Sequence, residues 1–253
     1  MILTACSGNG KTVYKASSSI NLAADVYINN EPIAFVKETN VSSLLKNGEN
    51  QIKYIINRDD ALHGMSTYYY NTRIYALNLS DYSRDSIKEE DIKIDESDLE
   101  SIEIITKFFV DDDILTMPFD AYSKIDLELD SDLESDLLTQ IKTLQQFLIN
   151  ENLNELNKLP IEFFVIWDGS KSKFFQMALM NIGRIKDKVL GDLNIADLKF
   201  LEGERTILVK RVDGLPLIEI TPRNLEITSG DYTSFEIDFI YFLKRDKQWI
   251  IGL

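Results

Sequence analysis

The chain has one cysteine and one histidine in 253 residues, and each scarcity excludes a class of site. A single cysteine, Cys6, cannot form an internal disulfide, so packing alone must stabilise the fold. With only Cys6 and His63 as sulfur and nitrogen ligands, a tetrahedral zinc site is also excluded. His63 could serve as a general base beside Asp59 or Asp60, or with Ser66 as nucleophile, but Ser66 lacks a glycine-flanked nucleophile turn. We therefore interpret His63 as a residue of a loop between strands.

Positive charge and long apolar runs are scarce as well. The chain carries 27 lysines and arginines against 42 aspartates and glutamates, for a formal net charge of −15. This negative charge repels the phosphate backbone of a nucleic acid, and the sequence has no basic patch interleaved with aromatic residues to offset it. Nucleic-acid binding is therefore not expected. The longest apolar runs, 163–167 and 239–243, are far shorter than the roughly 20 residues that span a bilayer. The sequence therefore predicts no second membrane anchor within the chain.

The segment Leu3-Thr4-Ala5-Cys6 resembles the lipobox at which bacterial lipoprotein precursors are cleaved, so that the cysteine becomes a lipid-bearing N-terminus. The following Ser7-Gly8-Asn9-Gly10 resembles the polar tether of such proteins. The resemblance implies lipid attachment at Cys6 as the only contact with the membrane. It implies a place in the bacterial cell envelope, periplasmic or surface-exposed. In a Gram-negative cell it implies the outer membrane, because the residue after the cysteine is Ser7 and not aspartate.

A complete secretory signal has a basic segment and roughly 7–15 apolar residues ahead of its cleavage site. Only five residues, none of them basic, precede Cys6. Two interpretations therefore stay open. Either Met1 is a misassigned or engineered start, or Cys6 is an incidental thiol.

Residues 13–117 are predicted to form a β-sandwich of short strands separated by turns. Asn29-Asn30 tolerates the left-handed backbone of a tight hairpin, and Pro32 favours an edge position because it lacks an N–H. Residues 41–45 are predicted to form a short turn of helix, closed by Gly48. The candidate strands are 19–28, 31–36, 51–56, 67–77 and 101–110.

The order of residues 26–52, from Val-Tyr-Ile-Asn-Asn-Glu-Pro-Ile to Leu-Lys-Asn-Gly-Glu-Asn-Gln-Ile, resembles a pattern of galactose-binding-like jelly-roll domains. In that family a strand–turn–strand unit is followed by a leucine and Gly-Glu-Asn. The resemblance implies the fold alone, because these positions shape turns and not a ligand site.

Residues 78–136 are acidic and rich in serine. Their first part is predicted to be a long solvated loop, and their second part to contain the domain boundary, near Met117-Pro118-Phe119. Ser131-Asp132-Leu133-Glu134 has the pattern of a helix capping box with Ser131 as the N-cap. Apolar residues then recur at the three- and four-residue steps of an amphipathic helix that ends before Pro160: Leu133, Leu137, Ile141, Leu144 and Leu148.

Residues 118–253 are predicted to form a second domain, with a strand at 161–167, a helix at about 173–190 and four or five later strands. The end of the chain, 235–252, resembles the final hairpin of nuclear transport factor 2-like domains, in which a long strand turns at a charged corner into a strand bearing a tryptophan, here Trp249. The resemblance implies a cystatin-like cone that can hold an apolar ligand. The fold class is thus α+β: an N-terminal β-sandwich, then helices packed on a curved antiparallel sheet, with residues 1–12 as lipobox remnant and tether.

Four side chains are candidate ligand-binding residues. Tyr68 and Tyr70 could form a platform on which a sugar stacks, since alternation directs Tyr69 to the opposite face of the strand. Trp167 and Asp168, just before a glycine, could line the mouth of a pocket in the second domain.

Carboxylates are abundant enough to raise the question of calcium. Asp130-x-Asp132-x-Glu134 begins like a calcium loop, but Ser135 stands where the loop needs glycine and Ile141 where it needs glutamate. Asp111-Asp112-Asp113 is explained equally well by a solvated turn. We therefore expect no metal and no cofactor.

These features together predict a non-catalytic binding or scaffold protein of the cell envelope whose partner is another envelope protein. The reason is that no nucleophile, acid–base pair or metal set stands in a suitable context. One alternative is carbohydrate binding by the N-terminal sandwich. The other is a C-terminal cone that binds a small molecule or acts as an enzyme through carboxylates and tyrosines.

Overall fold

The computed structural model describes eleven stretches of the chain, and they fall into two compact units. Unit 1 comprises Met1–Ser123 with Phe164–Ile166 and Gly203–Arg205, and unit 2 comprises Lys124–Phe163, Trp167–Glu202 and Thr206–Leu253. Strands make up the regular structure described in unit 1, and unit 2 combines helices with strands, which agrees with a sheet-rich α+β fold. The described residues are 12–20, 24–34, 38–42, 44–57, 67–78, 82–95, 101–111, 122–125, 129–163, 170–223 and 234–253.

Unit 1 contains two four-stranded antiparallel sheets. One has the order β4-β1-β6-β7 and the other the order β3-β2-β5-β8. Each sheet buries apolar side chains, which supply the core of the unit. The strands are β1 Thr12–Ile20, β2 Asp25–Ile28, β3 Glu31–Ile33, β4 Glu38–Asn40, β5 Gly48–Asn57, β6 Thr67–Asn78, β7 Arg84–Asp95 and β8 Ser101–Val110.

The predicted hairpin at Asn29-Asn30 is confirmed. Both residues have positive φ values, 49° and 69°, and the turn joins β2 to β3. Asn29 also fixes its surroundings, because its amide nitrogen donates to the Leu44 carbonyl at 2.8 Å and to Asn50 Oδ1 at 2.7 Å. Pro32 lies in β3, at the end of its sheet, as expected for a residue without an N–H.

Three local expectations in unit 1 are wrong. The proposed strand 19–28 is two strands, β1 and β2, which belong to different sheets. The described residues of 41–45 form a turn in place of the expected helical turn, with the Leu44 N–H donating to the Val41 carbonyl at 2.9 Å. The predicted acidic loop after residue 78 contains β7, which pairs with β6 along its whole length. An outermost strand can carry many charges because its outer edge faces water.

Unit 2 combines three helices with a five-stranded and a three-stranded sheet. The larger sheet has the order β11-β12-β15-β16-β9 and the smaller one the order β10-β13-β14. The helices are α1 Ser131–Ile149, α2 Leu153–Lys158 and α3 Lys171–Ile182. The strands are β9 Ile161–Glu162, β10 Lys188–Leu190, β11 Leu198–Glu202, β12 Thr206–Arg211, β13 Ile218–Pro222, β14 Phe235–Ile237, β15 Phe239–Arg245 and β16 Gln248–Gly252.

The predicted amphipathic stripe of α1 is confirmed, and it forms much of the core of unit 2. Leu137, Ile141, Leu144 and Leu148 are fully buried in one cluster with apolar residues of α3 and of both sheets. The N-cap lies one residue earlier than the capping-box pattern predicts. Asp130 and not Ser131 caps the helix, and Asp130 Oδ1 accepts the Leu133 N–H at 2.9 Å. This use of Asp130 as a cap agrees with the preference for a helix cap over a calcium loop.

The later part of unit 2 follows the prediction less closely. The second helix starts and ends earlier than expected, at Lys171 and Ile182, and 188–190 is a strand. The final hairpin is present: β15 and β16 are joined at Asp246 and Lys247, whose φ values are 48° and 71°. Trp249 is partly buried against the core cluster. The strand predicted at 161–167 is present at its start, where β9 covers Ile161–Glu162. Residues 164–169 lie outside the described residues.

Within the residues that the structure describes, we find no helix with both the length and the apolar character needed to cross a membrane.

Candidate functional site

Most of the residues singled out from sequence fall where the structure gives no side chains. Cys6, Trp167, Asp168 and His63 lie outside the described residues. Tyr68 and Tyr70 lie in β6, where the backbone alone is described. β6 is an inner strand of its sheet, with Tyr68 opposite Ile94 of β7, and Tyr70 opposite both Ile20 of β1 and Ile92 of β7. The carbohydrate platform and the pocket mouth therefore stay predictions.

A cleft of about 340 Å³ is lined by residues of β9, the start of α3 and the β15–β16 hairpin. Its polar wall is formed by Glu162, Lys171, Arg245 and Asp246, and its apolar part includes Ile161 and Ile250. The described residues of the cleft walls carry two positive and two negative side chains, so their net charge is zero.

The cations of this cleft are engaged by neighbouring groups. Arg245 donates from Nη1 to Glu162 Oε1 at 2.6 Å and from Nη2 to Oε2 at 3.3 Å, a two-point geometry that fixes both side chains. Lys171 Nζ donates to the Leu159 carbonyl at 2.8 Å. Partial burial lowers the pKa of Lys171, and the nearby Glu162 opposes this effect. These pairs tie β9 to β15 and the end of α2 to α3, so they stabilise the fold of unit 2.

Acid–base chemistry finds little support among the described side chains. Partial burial raises the pKa of Asp238, and the neighbouring Glu236 raises it further, but neither residue lines the cleft. In unit 1, the buried Glu31 accepts the Arg205 N–H at 2.9 Å, so its carboxylate holds backbone in place. Within the described part of the chain, no three histidine, cysteine, aspartate or glutamate side chains are grouped to hold a metal ion.

A different kind of site lies on β8 of unit 1. Along β8, Thr106, Phe108 and Val110 are buried, whereas the alternate positions are exposed. The exposed positions include two large apolar residues, Ile105 and Phe109, with 51% and 64% of their surface accessible. We call the outward-facing set around them the β8 surface, which consists of Glu49, Lys53, Ile105, Lys107 and Phe109.

The β8 surface mixes charge with apolar area. Lys107 Nζ forms a 2.9 Å ion pair with Glu49 Oε1 across the two strands. Glu49 is paired with Phe109 in the strand register, and Lys53 is paired with Ile105. β8 is also the last strand in its described sheet, with β5 on one side. The arrangement offers an apolar pair next to a strand edge, which is a common geometry for protein recognition.

Sequence reasoning identified β8 as a strand but missed this surface. The signal was present: in 101–110, apolar residues occupy both alternating sets of positions, as Ile102, Ile104 and Phe108 and as Ile105 and Phe109. A strand buried on one face needs only one of these sets for its core. Comparisons with protein-family models, with curated proteins and with solved structures find no match to this chain.

Proposed function

We propose that the protein is a lipid-anchored component of the bacterial cell envelope and acts as a non-catalytic binding or scaffold module for another envelope protein. The lipobox-like Leu3-Thr4-Ala5-Cys6 supports the location and the anchor at Cys6. The fold we propose is a jelly-roll-like sandwich for unit 1 and a cone-like domain for unit 2. This assignment builds on the two sheets of unit 1 and on the β15–β16 hairpin of unit 2.

The observation that carries the binding role is the β8 surface. Burying the Ile105 and Phe109 side chains in a partner would recover apolar surface that the fold leaves in water. A strand of the partner placed beside β8 would pair with its backbone, and the exposed alternate side chains would give specificity. The strand pairing suits a protein partner better than a glycan, because a glycan has no peptide backbone to pair with β8.

The charges of unit 2 also favour binding over catalysis. In the cleft, Arg245 is held by Glu162 and Lys171 by the Leu159 carbonyl. Groups committed to such pairs stabilise the structure and are poorly placed to transfer protons to a substrate.

The test uses the full chain with Cys6→Ala, immobilised and incubated with detergent-solubilised envelope proteins of the native cell. We expect one or a few partner proteins to be retained. Ile105→Lys together with Phe109→Lys should reduce the amount retained by about tenfold, because the buried apolar contacts are replaced by charges. Met177→Lys, at an exposed apolar position of α3, is the matched control and should retain the partner.

Retention that is equal for the parent chain and the β8 variants would contradict the proposal. Binding of the protein to a glycan array is the second test. A strong signal that is lost in Tyr68→Ala or Tyr70→Ala would replace the protein partner by a carbohydrate ligand of unit 1.

A further inference from the structure

Helix α3 carries an exposed pair of apolar side chains. Met177 and Met180 have 44% and 53% of their surface accessible. The helix buries Phe175, Ala178 and Ile182 on the side that packs into unit 2. At 3.6 residues per turn, positions 177 and 180 lie on the side opposite to these three. The two methionines therefore project from the outer side of the helix.

Exposed basic residues flank the methionines on the same side of α3. Lys173 precedes Met177 by four residues, and Arg184 follows Met180 by four. Residues three or four apart on a helix are neighbours on its surface, so the four positions form one continuous stripe. We call this stripe of Lys173, Met177, Met180 and Arg184 the α3 face.

The backbone continues its helical path far enough to bring Arg184 into the stripe, although α3 ends at Ile182. The Gly183 N–H donates to the Leu179 carbonyl at 2.8 Å, which is the spacing of an α-helix. The Arg184 N–H then donates to the Asn181 carbonyl at 3.1 Å, which is the tighter spacing of a last helical turn. Arg184 therefore lies about one turn beyond Met180.

The chain around the α3 face is basic, although the whole chain is acidic. Residues 170–191 contain five lysines and arginines and a single acidic residue, Asp187, whereas the full chain has a net charge of −15. Salt screens exposed charges that lie more than about 10 Å apart. A ligand at the α3 face therefore meets the local positive charge more strongly than the net negative charge of the chain.

Two of the five cations are engaged within unit 2. Lys188 Nζ forms an ion pair with Glu151 Oε1, and Lys171 Nζ donates to the Leu159 carbonyl at 2.8 Å. The other three cations are exposed: Lys173, Arg184 and Lys186. In the part of the chain that the structure describes, no carboxylate forms an ion pair with these three. Their sum stays positive after Asp187 is counted.

The composition of the α3 face favours a protein ligand over a membrane. Recognition of anionic lipids uses clusters of about four to eight basic residues, and helices that lie in a membrane surface expose tryptophan, phenylalanine or leucine. The α3 face has fewer cations and exposes methionines, which adapt their shape to the side chains of a protein partner. An acidic segment with apolar side chains complements both features.

We propose that the α3 face is a docking site for an acidic amphipathic segment of a partner protein. Apolar side chains of the segment cover Met177 and Met180, and its aspartates or glutamates face Lys173 and Arg184. Charge complementarity selects this occupant, because an exposed cation stands at each end of the methionine pair. The site is separate from the β8 surface, so Met177→Lys still serves as a control for binding at β8.

The experiment labels the methionine methyl groups of the full chain with ¹³C and follows their NMR signals. The chain has five methionines, and the variants Met177→Leu and Met180→Leu assign two of the signals. Three synthetic helical peptides of equal length are titrated, built from leucine and glutamate, from serine and glutamate, and from leucine and lysine. We expect the Leu/Glu peptide to shift the signals of Met177 and Met180. The Ser/Glu peptide should bind at least about tenfold more weakly, and the Leu/Lys peptide should leave these two signals in place.

Charge variants test the flanking cations. Lys173→Gln with Arg184→Gln should weaken binding of the Leu/Glu peptide by about tenfold, because the acidic side chains of the peptide lose their counterparts. The matched pair Lys142→Gln with Lys247→Gln, at exposed positions of α1 and of the β15–β16 turn, should bind like the parent chain. The methionine signals of each variant without peptide show whether its fold is unchanged.

The two proposed binding surfaces can fail separately. Ile105→Lys with Phe109→Lys changes only the β8 surface and should bind the Leu/Glu peptide like the parent chain. Equal binding of the Leu/Glu and Ser/Glu peptides would overturn the docking site on α3. So would the absence of shifts at Met177 and Met180, or binding that Lys173→Gln with Arg184→Gln leaves unchanged. Phosphatidylglycerol vesicles that shift the same two signals would replace the protein segment by a lipid surface.

Discussion

Asp213 shows how a single exposed side chain can fix the shape of a surface. Its hydrogen bond with Arg211 is the main cause that lowers the pKa of its carboxyl to about 2, with help from the Leu215 N–H. A carboxyl whose pKa is lower in the folded than in the unfolded chain stabilises the fold above the unfolded pKa, near 4. That contribution is lost as the pH falls from about 4 towards 2. We expect an NMR titration of the Asp213 carboxyl carbon to give a midpoint near 2.

The Arg211→Gln variant should raise that midpoint towards the ordinary aspartate value, because it removes the largest cause of the shift. Arg245→Gln removes the other two-point arginine–carboxylate pair of unit 2 and should leave the Asp213 midpoint unchanged. A midpoint near 4 in the parent chain would mean that the Arg211 contact does not persist in solution. The connection between β12 and β13 would then lack the ion pair that the structure shows.

At the scale of single residues, the sequence was sufficient to predict turns but not to predict which side chains are exposed. Asn29-Asn30 and Asp246 could be predicted as turns because their conformational preferences are local. Exposure of Phe109 could not, because an aromatic residue in a strand is usually read as core until its neighbours are known. The pairing of Arg211 with Asp213 depends on the path of the chain between β12 and β13, which composition does not specify.

The first turn of α1 offers a test at the scale of an element. Asp130 accepts the Leu133 N–H, so Asp130→Ala should lower the free energy of unfolding by about 1 kcal/mol. Ser131→Ala changes the residue that sequence reasoning took for the cap. It should alter stability by less than about 0.5 kcal/mol, since Ser131 is the exposed first residue of the helix. Urea unfolding of both variants checks the assignment, and a larger loss for Ser131→Ala would reverse it.

The elements that were predicted correctly carry a strong local pattern. The stripe repeats at helical spacing from Leu133 to Leu148 of the 19-residue α1, and four of its five leucine and isoleucine positions are fully buried. β7 was missed because its charges dominate the composition of Arg84–Asp95, although Ile92 and Ile94 alternate within it. Its pairing with β6 is a non-local interaction. Arg73 of β6, for example, forms a 2.6 Å ion pair with Glu89 of β7.

For the whole molecule, composition anticipated a chain long enough for more than one compact unit, and the structure has two, both of which contain sheets. Composition could not assign β1 and β2 to different sheets, because strand order depends on contacts far apart in sequence. The net charge of −15 has a consequence at this scale: a chain this acidic is repelled by an anionic membrane surface. This repulsion is consistent with the covalent anchor that we propose.

Cys6 is the residue on which that anchor depends in the proposed function. Expressed from its full native gene, the protein should partition into the detergent phase and carry lipid on Cys6, since several acyl chains are needed for stable attachment. Cys6→Ala should move it to the aqueous phase while both units stay folded. The β8 variants should partition like the parent protein, because the β8 surface does not contribute to the proposed anchoring. The intact mass of the native protein is the deciding measurement. An unmodified Cys6 thiol with Met1 retained would exclude lipid attachment. The β8 surface would then bind its partner in another compartment.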